Sequence, residues 1–172
     1  MRYKYLRTFI LLQRRNNKHT NVMALKFPEI KISVKIKGAK FSELHTVSNS
    51  KEAYEACMEI FNKDTIQYTE EVLLLFISRA GKLLGFSKIS SGGTSHVIID
   101  SKVIFTLALN SCAQSIIVAH NHPSGNLTPS RADIAITEKL CKQGEIMDIK
   151  ILDHIICSNE GYYSFLESGK IK

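Results

Sequence analysis

Residues 115–133 read Ser-Ile-Ile-Val-Ala-His-Asn-His-Pro-Ser-Gly-Asn-Leu-Thr-Pro-Ser-Arg-Ala-Asp. Ser115 to Ala119 is a short β-rich run that leads straight into His120. Side chains alternate faces along a strand, so His120 and His122 point the same way. Pro123 biases His122 toward extended geometry, which lets the two imidazoles converge on one ion. After the loop 123–129 a helix begins near Ser130, with Ile136 and Leu140 four residues apart. Asp133 is the nearest carboxylate, and a catalytic zinc needs about three protein ligands and one open position. Each part also has a plainer reading: the histidines as a hydrogen-bonding pair, Ser130 as an N-cap, and Asp133 as the far half of a capping box.

The flanking segments place this stretch in an alternating α/β pattern. Asn49 followed by Glu52 reads as a capping box, and Ala53, Cys57 and Ile60 give a helix of about three turns. Val72 to Ile77 is a continuous apolar run, the strand of a hairpin buried on both faces. Leu83 to Ile89 follows it after the turn at Arg79-Ala80-Gly81. Val103, Ile104, Leu107, Ala108 and Cys112 recur at helical spacing, Ile149 to Cys157 is another buried strand, and residues 162–165 follow the Asn159-Glu160-Gly161 turn as a last one. Ile30, Ile32, Val34 and Ile36 alternate with lysines and serine, as in a lysine-guarded edge strand. The order predicts a mixed sheet flanked by helices in a three-layer-like α/β arrangement.

Composition bounds the function. With 44% hydrophobic and 23% charged residues in 172, the body suits one folded domain. The best N-terminal apolar run, Phe9 to Leu12, is too short for a bilayer span or a signal-peptide core, so the expected location is cytoplasmic, without membrane contact. Cys57, Cys112, Cys141 and Cys157 lie far apart and read as buried free thiols. Residues 1–40 hold eleven Lys or Arg against the single acid Glu29, a charge of +10 that leaves −3 of the overall +7 for residues 41–172. Such an arm could touch DNA phosphates, but it says nothing about the body. The expected division is a basic, disordered extension over 1–22, a strand region over 23–48 opening at the start-like Met23, and the main domain over 49–172.

His-x-His, seven residues, Ser, two residues, Asp resembles the JAMM metal motif of JAB/MPN domains. The run His-Asn-His-Pro-Ser-Gly at 120–125 and the later Leu152-Asp153-His154 resemble the RadC-like branch, over roughly residues 50–167. The resemblance implies the JAB/MPN (cytidine-deaminase-like) architecture and a zinc ion held by His120, His122 and Asp133. It further implies that Ser130 helps stabilise the polarised substrate oxygen and that a glutamate on an earlier strand activates water. Glu70 and Glu71 both open the strand entering Val72, and neighbours face opposite sides, so only one can reach the metal. The family's spacing favours Glu70. The implied activity is zinc-dependent hydrolysis of a peptide or isopeptide bond in a protein or peptide substrate. The alternative the family label brings is a DNA-repair or recombination accessory protein without peptidase activity.

Other metal enzymes fit less well. A zinc nucleobase deaminase would need His-x-Glu and a later Pro-Cys-x-x-Cys, which the chain lacks. The literal His120-Asn121-His122 is not the spread-out ββα unit of an HNH nuclease. Asp153 and His154 interrupt an apolar strand and should be satisfied by hydrogen bonds, either structurally or in support of the metal ligands. His19, His45 and His96 have no ligand-like neighbours, and Gly92-Gly93 reads as a turn.

Overall fold

The computed structural model describes residues 41–91 and 99–171. The arm with Met23 and the strand expected at 30–36, His19, His96 and Gly92-Gly93 lie outside the described residues.

After a 3-10 turn at Phe41–Glu43 come α1 (Ser50–Ile60), β1 (Glu71–Ile77), β2 (Leu83–Ser91), α2 (Ser101–Asn110), β3 (Ser115–Asn121), α3 (Arg131–Ile146), β4 (Lys150–Ser158) and β5 (Gly161–Ser164). The strands form one sheet in the order β2-β1-β3-β4-β5. Only β3 and β4 pair in parallel; β1 is antiparallel to both its neighbours, and β5 is antiparallel to β4. The result is the mixed α/β sheet that the alternating pattern predicts.

Two apolar clusters cover the two faces. Val72, Leu74, Phe76, Ile116, Val118 and Ile156 pack with Ile104 and Phe105 of α2 and Leu140 of α3. Leu73, Leu75, Ile77, Ile117, Ala119 and Ile155 pack on the other face with Ala53 and Cys57 of α1. Every residue of β1 is buried, as its unbroken apolar run predicts for a strand covered on both sides.

Local chemistry sets the helix starts. Asn49 accepts from the Glu52 N–H, as expected, but the Glu52 carboxylate accepts from Ser48 N–H rather than closing the box on Asn49. Asp100 caps α2. All four cysteines are free, yet only Cys57 and Cys157 are buried; Cys141 is half-buried and Cys112 exposed, which corrects the uniform burial expected from their apolar periodicity. Cys112 follows the end of α2 in a left-handed turn (φ 53°), beyond the last position at which helical periodicity applies. Among the described residues, no helix is long and apolar enough to cross a membrane.

Candidate metal centre

His120 lies in β3, buried, while His122 stands one residue past its end. The His122 N–H still bonds Cys157 C=O at 3.0 Å, so extended pairing continues and both rings come out on one face. Their Nε2 atoms lie 3.0 Å apart. Asp133, in the first turn of α3, brings Oδ1 to 3.4 Å from His120 Nε2 and Oδ2 to 3.8 Å from His122 Nε2. These three side chains form a group able to hold a metal ion among the described residues. Ligands set tetrahedrally about 2.0–2.2 Å from an ion are separated by roughly 3.3–3.6 Å, and one ligand atom from each of the three residues can be chosen so that all lie within 4.8 Å of one another.

Hydrogen bonds at the far ring nitrogens assign the tautomers. His122 Nδ1 sits 2.5 Å from Asn126 C=O, which can only accept, so Nδ1 carries the proton and Nε2 a lone pair. His120 Nδ1 contacts His154 Nε2 at 2.9 Å, and His154 Nδ1 contacts Thr137 Oγ1 at 2.6 Å. The Thr137 hydroxyl donates to Asp133 C=O at 2.5 Å.

His154 is wholly buried, which pushes its pKa well below the ordinary histidine value, with further lowering from His120 and His122. Burial likewise drives His120 down to about 4 against a raising effect from Asp133. The close approaches of the neutral His120 ring to Asp133 are therefore not ion pairs. In the metal-free protein, acid should act on this site with a definite sign. Between pH 6.5 and about 4 the unfolded chain takes a proton at His120 that the folded chain refuses, so stability falls as pH falls. The loss for His120 is on the order of 3 kcal/mol, readable by urea unfolding of chelated protein at pH 7 and pH 4.5; equal stability at the two would contradict it.

Asp133 serves two functions. Its Oδ2 accepts from Ser130 N–H at 2.7 Å while Ser130 Oγ accepts from Asp133 N–H at 3.1 Å, the reciprocal capping box that the Ser-x-x-Asp spacing suggests. The capping box of the plain reading is present, and it ties down one carboxylate oxygen while the group lies beside the histidines. Ser130 is exposed at the helix start, its hydroxyl proton left available by that cap.

The β1–β3 register turns one of the two glutamates away from His120. Glu70 precedes β1 by one residue. Val72 pairs with His120, so alternation along β1 turns Glu71 to the opposite side of the sheet. Glu71 there meets Lys88 at 3.1 Å. The middle residue of the histidine triplet, Asn121, also faces away. It is fully buried, accepts from Glu71 N–H at 2.7 Å, and donates to Ile66 C=O at 2.7 Å and Thr69 C=O at 2.9 Å. Asn121 thereby holds the segment that carries Glu70.

Asp153 and His154 part company in the same way. Asp153 accepts from Ser164 Oγ at 2.6 Å and Leu166 N–H at 3.0 Å, bracing the C-terminal turn, while His154 joins the chain of contacts that ends at His120. Thr137 carried no signal in the sequence beyond standing four residues after Asp133, one helical turn on.

A family model described as RadC-like JAB domain matches residues 47–170. Among similar curated proteins, a UPF0758 protein of Flavobacterium johnsoniae is 39% identical over 127 residues, covering 74% of this chain and 54% of that protein. A UPF0758 protein of Thermotoga maritima is 35% identical over 127 residues, with 73% and 54% covered. One of Porphyromonas gingivalis is 31% identical over 141 residues, with 81% and 61% covered. The chain spans about half the length of the curated relatives it matches.

Proposed function

The chain belongs to the RadC-like JAB family, and from that premise we propose that it is a zinc-dependent hydrolase acting on a peptide or isopeptide bond of a protein or peptide substrate in the cytoplasm. The observation that carries the reading is the convergence of three side chains, with His120 Nε2 and His122 Nε2 3.0 Å apart and the Asp133 carboxylate within 3.4–3.8 Å of them. Two imidazoles and one carboxylate brought together in this way suit zinc. His120, His122 and Asp133 would hold it. When bound, zinc would polarise a carbonyl and make water nucleophilic at neutral pH.

The chain's own groups supply the rest. Glu70, which alternation carried on from Val72 would set on the His120 side, takes a proton as general base and returns it to the leaving amine. Ser130, with its hydroxyl proton unused by the cap and its place at the N-terminus of α3, donates to the oxygen on which negative charge develops.

A second reading, a DNA-repair or recombination accessory protein, draws on the charge split between the +10 arm and the −3 remainder. One experiment addresses both. Purified protein should carry about one zinc per chain and the His120→Ala/His122→Ala variant essentially none; equal zinc in the two would remove the metal reading. DNA binding by the arm should weaken steeply with salt and survive in the double variant. Tight DNA binding that disappears with the zinc would instead favour the DNA-repair reading.

A further inference from the structure

His120 reaches its metal-facing state through a chain of contacts running away from the site into α3. The chain begins at a group whose role is fixed: the backbone carbonyl of Asp133 has no proton to give, so the single proton of the Thr137 hydroxyl lies between them. Thr137 Oγ1 can then only accept from His154 Nδ1, and a neutral His154 presents its Nε2 lone pair to His120 Nδ1. His120 must donate there, which empties its Nε2 toward His122 and Asp133. Every direction in the chain follows from the first together with a neutral ring at the wholly buried His154.

We infer that Thr137 and His154 form a hydrogen-bond relay that fixes His120 in the tautomer open to a cation, and that Thr137 is thereby a positioning residue for the metal site. The inference rests on the metal reading above for its consequence, though not for its geometry. Without the relay the preference reverses. The Asp133 carboxylate 3.4 Å from His120 Nε2 is a strong acceptor, and in a metal-free site it favours a proton on that nitrogen. Only a partner demanding the proton at Nδ1 holds it on the other side of the ring. The relay also joins the ligands: Asp133 offers its side chain to the cluster and its backbone carbonyl to Thr137. Thr137 and His154 are both buried, so the relay is shielded from solvent.

The test uses the full chain with ¹⁵N-labelled histidine. In metal-free wild type and in Thr137→Ser, imidazole ¹⁵N shifts should report His120 with a bare Nε2. In the near-isosteric Thr137→Val, and in the smaller Thr137→Ala measured beside it in case one variant packs poorly, the proton should move to Nε2. Zinc affinity, measured by competition with a chromophoric chelator, should fall about 10- to 100-fold in Val and Ala and be restored in Ser. A Val or Ala variant that keeps the wild-type His120 tautomer overturns the relay. A switched tautomer with unchanged zinc affinity overturns its role in metal binding. A switched tautomer in a protein that takes no zinc even as wild type supports the relay and removes the metal reading, so the two failures are distinguishable.

Discussion

Glu70→Gln should keep its zinc and lose hydrolysis by about 10²- to 10⁴-fold, the usual worth of a positioned general base, on any peptide or isopeptide substrate that the wild-type chain cleaves. The amide is nearly isosteric with the carboxylate but cannot take a proton, so the loss should lie in kcat. Asp133→Ala should fail differently, by shedding most of the zinc together with one side of the capping box. Glu71→Gln is the informative control. Its carboxylate lies on the far face beside Lys88, so the variant should remain active. An inactive Glu71→Gln beside an active Glu70→Gln would reverse the assignment of the base.

The second large effect is on stability. Asn121→Ala should lower the unfolding free energy by about 3–5 kcal/mol, because it strands the Glu71 N–H and the carbonyls of Ile66 and Thr69 at a buried position. Zinc-free denaturant titration measures this directly, and a loss under about 1 kcal/mol would show that these groups find other partners. Asn121→Asp should not rescue it. A carboxylate there still accepts from Glu71 N–H but has no donors for the two carbonyls, and it places a negative charge beside them.

The fold and the grouping of His120, His122 and Asp133 were legible in the sequence because they rest on short-range rules. Alternation along 120–122, a proline after it and Ser-x-x-Asp at a helix start are local statements, and each survives in the structure. The uninterrupted apolar run of β1 likewise announced a strand covered on both faces. The supporting groups depend on register between segments distant in sequence, which periodicity does not encode. His154 stands beside Val118 only because β4 pairs in parallel with β3 at that offset. Thr137 meets His154 only because α3 packs over that pairing. Asn121 looked like a spacer between two histidines, and its work on Ile66 and Thr69 becomes visible once the loop before β1 is folded against it. Choosing between Glu70 and Glu71 from the sequence needed a family's spacing; in the structure the Val72–His120 pairing turns Glu71 away from His120.

The unequal seating of the three candidate ligands matters for how the site opens. His120 belongs to a strand hydrogen-bonded on both sides, to β1 and to β4, so exposing it means tearing two ladders, an event close in cost to global unfolding. Asp133 sits in the first turn of a helix, the part of a helix that frays most readily, held there by a serine cap. Local breathing of α3 would therefore swing the carboxylate away while the His120 imidazole stays put. If the site holds an ion as proposed, exchange should run through a hinged carboxylate door, at a rate set by the strength of a helix cap rather than by the strength of the sheet.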